Sequence, residues 1–314
     1  MQTTTNSSNV VRQQVYSAGL QESYETNLLG MGLFADMTSL FPDGDTFNVD
    51  QIGEFTLADY SEDAPIDYSA LDTSRITLSV TDYPGLGFYM TDAMKQDSNK
   101  ADLVFGKAIK KAIYAFEKDM ETSVYAACND SQTTADANTI NGEAHRRCLD
   151  NPTAQALVDA IADIKLSFDK ADVPEVGRIL IVDPRVENIM NKLGGTAVLV
   201  ADSPRFEGLL ETGFARNHRF VRNIHGFDVF TSNLLPEIAS ETVNSVTCAS
   251  GVCNIAMCVA DDDAKPIMGV IRQAPTPEMS RDADHKRDKW SATARWGFAA
   301  YRPESLYCLL VDFA

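Results

Sequence analysis

The longest periodic stretch of the chain is helical. From residue 99 to residue 128, apolar side chains recur at spacings of three and four, and lysines fill much of the opposite face. A helix over these residues would span about 45 Å at 1.5 Å per residue. That length exceeds the needs of a compact domain, so we expect a spine that ties separate parts together. Asp97 or Ser98 is the expected cap, because its side-chain oxygen can accept a hydrogen bond from the first turn.

An extended ribbon precedes this helix. Residues 45–60 alternate like a strand, with a bend expected at Gly53, and residues 61–74 have the composition of a loop. Ile76, Leu78 and Val80 then share one strand face, and Pro84 and Gly85 break the pattern before a short apolar strand. The pattern predicts two strands joined by a long loop. An isolated two-stranded ribbon is marginal in water, and its open edges favour a partner.

The rest of the chain mixes helices and strands. Residues 129–151 are polar and predict a loop, and a helix is expected from Pro152, capped by Asn151, to about Asp169. The other predicted elements are a buried strand at 178–182, a helix from 184 to 193, a hairpin with its turn at His225-Gly226, and strands at 254–260, 290–301 and 306–313. This order favours an α+β fold over a regular alternation of strand and helix.

The chain is strongly acidic. It carries 45 acids and 27 bases, a net charge of −18, which opposes nucleic-acid binding through phosphate neutralisation. Nine of the acids, and no base, lie between residues 43 and 72. One interpretation is a solvated loop; the other is a segment that docks on a basic patch of another copy of the chain. The candidate residues of that basic patch are Arg216, Arg219, Arg222, Lys286, Arg287 and Lys289.

The sequence offers little chemistry. It has no phosphate-binding loop, no nucleophile elbow and no zinc-protease motif, and only four histidines. The spacing of Cys248, Cys253 and Cys258 differs from that of zinc sites, so free thiols are the expectation for all cysteines. Residues 261–263 are expected to form a charged turn, with a calcium site as the less favoured alternative. We predict no catalytic residue, no metal site and no cofactor.

Targeting signals are also missing. No apolar run reaches the 18 or so residues of a membrane helix, and the first residues contain no apolar signal-peptide core. We therefore expect no association with a membrane.

Several stretches together resemble a known family, the major capsid proteins of tailed bacteriophages with the Hong Kong 97-type fold. ITLSVTDYPGLGFYMTDAMKQDS (76–98) is similar to the return strand of the family's extended loop, and the helix at 99–128 is similar to its spine. ILIVDPRVENIMNKLG (179–194) resembles a strand and helix of the axial domain, and the stretches at 223–236 and 296–313 resemble its closing strands.

The resemblance implies an architecture and a function. The expected parts are an N-terminal arm (1–44), an extended loop (45–82), a peripheral domain (83–151 and 276–302) around the spine helix, and an axial domain (152–275 and 303–314). Many copies would form hexamers and pentamers of an icosahedral shell around double-stranded phage DNA, assembled in the host cytoplasm. The expected partners are the chain itself, a portal protein, a scaffolding protein and, in some shells, a decoration protein. Subunit contacts are expected at Asp59, Glu62, Asp63, Asp67, Ile76, Leu78 and Val80.

Two departures from the family sharpen these expectations. The arm has no helical extension of the kind that serves some members as a built-in scaffold, so a separate scaffolding protein is expected. No lysine occurs before Lys95, so the loop lacks the donor of an isopeptide cross-link and we predict a non-covalent shell. Two alternatives stay open: an encapsulin-type compartment shell, and an unrelated acidic enzyme with a pocket of converging titratable groups.

Overall fold

The computed structural model describes residues 28–41, 44–52, 57, 59, 73–97, 101–131, 139–192 and 223–313. The helices are α1 (Asp92–Asp97), α2 (Ala101–Ser131), α3 (Ala154–Lys170) and α4 (Pro184–Lys192). The strands are β1 (Phe34–Asp36), β2 (Thr46–Ile52), β3 (Thr73–Ser79), β4 (Gly85–Thr91), β5 (Thr139–Ile140), β6 (Glu143–Ala144), β7 (Arg146–Asp150), β8 (Arg178–Val182), β9 (Asn223–Ile224), β10 (Phe227–Thr231), β11 (Glu237–Ile238), β12 (Glu241–Val243), β13 (Val246–Cys248), β14 (Gly251–Cys258), β15 (Ile267–Asp282), β16 (Arg287–Ala300) and β17 (Leu306–Asp312).

The first of two main sheets contains the strand order β1-β15-β16-β4. Strands β15 and β16 form a long antiparallel hairpin, and β4 runs antiparallel to β16 along its outer half. Alternate residues of β16 point to one face, and four of them are buried beneath helix α2: Trp290, Ala292, Ala294 and Trp296. The opposite face of this hairpin carries mainly polar side chains.

The second sheet has seven strands in the order β7-β17-β14-β8-β10-β9, with β11 paired to β14. Strands β8 and β17 are buried over their whole lengths, which explains their continuous apolar sequences, RILIV and LYCLLV. Helix α3 covers one face with Leu157, Ile161 and Ile164, and α4 adds Val186 and Met190 to the same cluster. The sequence interpretation of this region as a buried strand followed by a helix at Pro184 is confirmed.

Helix α2 connects the two sheets. Its first half packs on the four-stranded sheet through Ala112 and Phe116, and its second half covers the free face of the seven-stranded sheet with Val124, Tyr125 and Cys128. At 31 residues its length is about 46 Å. The prediction of a spine helix is therefore confirmed, three residues longer at its end than the sequence indicated.

The caps of two helices differ from their predictions. Asp97 does not cap the spine but ends the short helix α1, whose own start is capped by Thr91 Oγ1, which accepts a hydrogen bond from the Met94 N–H at 3.3 Å. Helix α3 begins two residues later than expected, because Thr153 rather than Asn151 accepts the hydrogen bond of the Ala156 N–H. Ser98 lies outside the described residues, as does Leu193, the predicted end of α4.

The predicted loop at 129–151 was wrong in part. Helix α2 continues to Ser131, and residues 139–150 form β5, β6 and β7, the last of them parallel to β17 at the edge of the seven-stranded sheet. Strand β7 escaped prediction because its buried arginine makes the sequence RRCLD look like a solvated segment. The turn at His225-Gly226 is confirmed, with φ of 49° and 90° at these residues.

The sheets also bear on the expected domain boundaries. Strand β7 belongs to the seven-stranded sheet, although residues 83–151 were expected in the peripheral domain. Strand β15 runs without interruption from 267 to 282, across the boundary expected at residue 276. Strand β1, from the expected arm, is part of the four-stranded sheet. The division into arm, loop, peripheral and axial parts remains a prediction.

A disulfide corrects the expectation of free thiols. Cys148 on β7 and Cys248 on β13 are bonded, with Cα atoms 6.2 Å apart and a sequence separation of 100. The other described cysteines, Cys128, Cys253, Cys258 and Cys308, are buried and form no disulfide. No local pattern predicts this pair, because only the folded sheet brings these distant segments together.

Candidate subunit interface

The extended loop is built on an amphipathic ribbon. Strands β2 and β3 pair antiparallel from Thr46↔Ser79 to Ile52↔Thr73, which confirms the predicted two-stranded arrangement. One face carries the cross-strand pairs Phe47↔Leu78 and Val49↔Ile76, and the other is exposed and polar. Among the described residues no third strand pairs with the ribbon. Its two edges and part of its apolar face are therefore available for contact.

The apolar face is not uniformly available. Leu78 and Val80 are buried in the chain's own core, where they pack with Phe41, Met268 and Val270. Leu78 is therefore enclosed by the chain itself, and Val80 nearly so, because the foot of the ribbon lies on the inner half of β15. Their contact with a neighbouring subunit stays a prediction. Ile76 is half-buried, and it keeps a place at the predicted contact.

The foot of the ribbon is joined closely to β16. A Cβ atom on Gly297 would lie 2.6 Å from the Ser79 carbonyl oxygen, so this position has no room for a side chain. Asp82 and Trp296 exchange two backbone hydrogen bonds of 3.1 and 3.2 Å, and the Ala294 N–H donates to the Pro84 carbonyl at 3.0 Å. The break at Pro84-Gly85 thus lets the chain leave the ribbon and continue along the same neighbouring strand as β4.

Aromatic rings fix the spine to this sheet. The rings of Phe88 and Trp290 stack with centroids 5.0 Å apart, and Phe105 approaches Phe88 edge-on at 5.5 Å. Phe116 contacts Trp296 in a similar edge-on arrangement at 6.5 Å. Such pairs add about 0.5–1.5 kcal/mol each beyond the area that they bury. The ribbon foot, β16 and the spine therefore form one stiff unit.

Glu121 is a structural residue that the sequence reasoning missed. Its carboxylate is 97% shielded from solvent (3% exposed) and accepts hydrogen bonds from the Leu29 N–H at 2.7 Å, the Gly30 N–H at 3.2 Å and the Tyr125 hydroxyl at 2.8 Å. It fastens the end of the arm to the spine. Burial and the neighbouring Glu121 carboxylate raise the pKa of Tyr125. The available signal was a glutamate on the apolar face of a helix, one turn before a tyrosine.

The predicted basic patch near residue 286 is neutralised within the chain. The carboxylate of Asp282 lies 2.6 Å from Lys289 Nζ, 3.0 Å from Arg287 Nε and 3.0 Å from His285 Nδ1. The hydrogen bond from Lys289 is the main reason that the pKa of Asp282 is held well below its ordinary value. Arg287 and Lys289 therefore already have a counter-charge within the chain, since Asp282 pairs with Arg287 across the hairpin, and their role in docking stays a prediction.

A second group of ion pairs occupies the same hairpin tip. Arg281 binds Asp92 with two contacts of 2.5 and 2.6 Å and Asp288 with one of 2.7 Å, and Lys95 also pairs with Asp288. These contacts hold α1 against the hairpin, and the hydrogen bond from Arg281 lowers the pKa of both carboxylates. Lys286, in the turn, has no ion-pair partner among the described residues and stays a candidate.

Most of the remaining predicted contact residues lie outside the described part of the chain. Arg216, Arg219 and Arg222 lie outside the described residues, as do Glu62, Asp63 and Asp67. Asp59 is exposed, and Leu57 nearby is 96% exposed. The acidic segment is therefore still a candidate contact by its charge and by these exposed side chains.

A buried ion pair joins the end of the spine to the seven-stranded sheet. Arg146, 2% exposed, donates to both carboxylate oxygens of Glu241 at 2.6 and 2.7 Å and to Asn129 Oδ1 at 3.1 Å. The fork geometry satisfies a cation that burial alone would penalise. It also explains why an arginine lies in the strand that the sequence reasoning read as a loop.

Each described histidine lies in a turn or makes a contact within the fold. His145 is fully buried against Phe168 and Tyr307, and its Nδ1–H donates to the Leu306 carbonyl at 3.0 Å. Burial lowers its pKa, which keeps the ring neutral. His225 occupies a turn and His285 contacts Asp282, while His218 lies outside the described residues. In the described part of the chain, no group of three or more ligating side chains is placed to hold a metal ion.

Among the described residues, no helix combines the length and the apolar character that a bilayer crossing requires.

Comparison with known proteins decides the family. A family model described as phage capsid protein matches residues 74–309, which is most of the chain. The chain belongs to the phage capsid protein family. It is a major capsid protein of the tailed-phage type, a structural component of the virion shell, and the family favours this over the encapsulin and enzyme alternatives. No curated protein sequence matches the chain.

Solved structures agree on the fold. A chain of Mycobacterium phage Che8 has a TM-score of 0.70 at 17% identity, with 97% of this chain and 98% of that chain covered. The capsid of cyanophage P-SCSP1u gives a TM-score of 0.73 at 11% identity and coverages of 97% and 94%. The mature capsid of bacteriophage PhiM1 gives 0.70 at 12% identity, covering 96% and 92%. The α+β Hong Kong 97-type fold is thus established across nearly the whole chain.

Proposed function

We propose that this capsid protein assembles, as hexamers and pentamers, into a closed icosahedral shell around double-stranded phage DNA. The observation that carries the proposal is the ribbon of β2 and β3, which is fixed at its foot and unpaired along both edges in the described chain. A two-stranded ribbon of this kind gains stability when it lies on another surface. Neighbouring copies of the chain supply that surface in a shell.

The charge of the chain suits an enclosed genome. With a net charge of −18 the protein has little capacity to neutralise phosphates, so packaged DNA stays mobile instead of binding to the wall. Sequence-specific contact with DNA is not part of the proposal. The proposed location is the virion, with assembly in the host cytoplasm.

The proposed joints between subunits are non-covalent. The extended loop and the arm make the contacts, and the loop contains no lysine that could form an isopeptide bond. A scaffolding protein and a portal protein are the proposed assembly partners, and a decoration protein is a further proposed partner on the outer surface.

Electron microscopy of the purified chain, alone and together with proteins encoded beside it, tests the proposal. Closed particles of uniform size are the expected result, and a monomer that stays unassembled with every such partner would exclude the function. A denaturing, reducing gel of the particles should show one band at the mass of the chain. A ladder of covalent oligomers would contradict the non-covalent joints.

A further inference from the structure

A cavity of about 350 Å³ lies at the foot of the ribbon, on the sheet face opposite the spine. It is lined by Val80, Thr81, Tyr83, Gln273 and Arg295. Strand β15 changes register on both sides of Gln273, and such irregularities commonly mark functional positions in sheets. The cavity therefore lies where the regular ladder opens.

Arg295 gives this cavity a positive charge. The residue is half-buried, and within the described chain its guanidinium makes no hydrogen bond or ion pair, whereas its backbone is paired in the β15–β16 ladder. That situation is unusual here, because acids outnumber bases 45 to 27 and neighbouring arginines on the same hairpin are paired. Gln273 supplies no counter-charge because its amide is neutral, and the amide nitrogen donates to Thr293 Oγ1 at 3.1 Å.

The cavity also has an apolar wall and an exposed aromatic rim. Val80 is 5% exposed at its base, and the Tyr83 side chain is 64% exposed at its edge. An occupant that matches all three features carries a carboxylate next to a large apolar side chain. Aromatic and arginine side chains are the residues that most often dominate the energy of protein interfaces.

The chain itself contains such a pair. Leu57 is 96% exposed, Asp59 two residues later is also exposed, and residues 53–72 contain six acids and no base. Leu57 and Asp59 follow the far end of the ribbon along the chain, since Thr46↔Ser79 lies at the foot and Ile52↔Thr73 at the far end. Six residue steps of a strand separate the two ends by about 20 Å. The cavity of another copy is therefore the more accessible one.

We propose that the Arg295 cavity receives Leu57 and Asp59 from a second copy of the chain, with the Asp59 carboxylate on the Arg295 guanidinium and the Leu57 side chain against Val80 and Tyr83. The proposal rests on the proposed shell function and names the contact that the acidic segment makes. It replaces the basic patch of Arg287 and Lys289, which Asp282 already neutralises.

Charge exchange tests the contact. Arg295→Glu and Asp59→Lys are each expected to lower the yield of closed particles at least about tenfold, because each places like charges together in a partly desolvated site. The double variant restores the attraction and is expected to return the yield to within about twofold of wild type. Asp284→Lys, the same charge change in the hairpin turn, is the matched control and should leave the yield unchanged.

Mixing the two single variants shows whether the contact joins different copies. In an equimolar mixture the wild-type and exchanged pairs form wherever the two variants alternate, so assembly should recover in part above either variant alone; a contact within one chain would give no recovery. Arg295→Met is expected to leave the melting temperature of the unassembled subunit unchanged, which separates an assembly defect from misfolding.

The outcomes also separate this inference from the proposed function. If wild-type protein forms shells but Arg295→Met and Arg295→Glu assemble normally, or the double variant does not recover, the contact is overturned and the shell function stands. If wild-type protein forms no shell with any partner, the shell function itself fails.

Discussion

Loss of the disulfide between Cys148 and Cys248 is expected to destabilise the subunit strongly. The bond closes a loop with a sequence separation of 100 residues. A cross-link over such a loop removes unfolded-state entropy worth about 4.7 kcal/mol at 25 °C. Because domains of this kind are stable by only about 5–15 kcal/mol, reduction should lower the free energy of unfolding by a large fraction.

The structure also predicts where the reduced protein opens first. The hairpin of β12 and β13 is held by only three residue pairs, from Glu241↔Cys248 to Val243↔Val246. The disulfide and the ion pair between Arg146 and Glu241 attach this hairpin to β7, in addition to the packing of Val243 in the core. Amide hydrogen exchange between residues 241 and 248 should therefore accelerate more on reduction than exchange in β14 or β17.

Two measurements test this reasoning. Labelling of the denatured, unreduced protein with a thiol reagent should modify four cysteines, and prior reduction should raise the number to six. Urea unfolding of the unassembled subunit should then give Cys148→Ala, Cys248→Ala and the double variant nearly equal stabilities, because either change removes the same bond. A reducing agent should lower the wild type to the same level.

Cys258→Ala provides the matched control. This cysteine is buried and free, so its replacement should cost about 1 kcal/mol through lost packing, and a reducing agent should destabilise this variant as much as wild type. Any of three results would refute the reasoning. These are six reactive thiols in the unreduced protein, additive effects of the two alanine changes, and a wild-type stability that reduction does not change.

Three further predictions concern single positions. Gly297→Ala places a Cβ atom 2.6 Å from the Ser79 carbonyl and should lower the free energy of unfolding in urea by about 1–3 kcal/mol. Gly106→Ala is the control: its new Cβ meets no neighbouring atom within 4 Å, so the free energy of unfolding should rise by up to about 1 kcal/mol. Equal effects of the two changes would contradict the close approach at Gly297. Glu121→Ala leaves three donors without their acceptor and should lower the free energy of unfolding by about 3 kcal/mol. Amide hydrogen exchange at residues 29–33 should become faster, and unchanged exchange there would count against this role of Glu121. Burial lowers the pKa of His145, so the unfolded chain binds its proton first and stability should fall as the pH drops below about 6.5. His145→Asn keeps a donor for the Leu306 carbonyl, and its thermal unfolding between about pH 7 and pH 5 should lack this decline.

Local patterns were sufficient for the elements that depend on near neighbours. The spine helix, the strand at 178–182 and the turn at His225-Gly226 follow from spacings or backbone preferences within a few residues, and the structure confirms each. The ribbon could be predicted for the same reason, since its apolar side chains alternate along each strand. The order of these elements was enough to resemble the capsid fold.

The candidate interface was predicted less completely, because charge in a sequence does not reveal its partners. Arg287 and Lys289 look like free cations until the hairpin brings Asp282 beside them. Leu78 and Val80 look like a free face until the ribbon foot is laid on β15. Arg295 is the opposite case, since nothing in its sequence context distinguishes it from the arginines that the fold neutralises.

By itself the sequence determined the lengths and faces of the helices and ribbon, because these depend on residues within one or two turns of one another. Only the tertiary structure decided which distant side chains meet: Cys148 with Cys248, Arg146 with Glu241, and the Glu121 carboxylate with the end of the arm. These contacts join segments about 90 to 100 residues apart in the chain. Their geometry exists only after both sheets have formed around the spine.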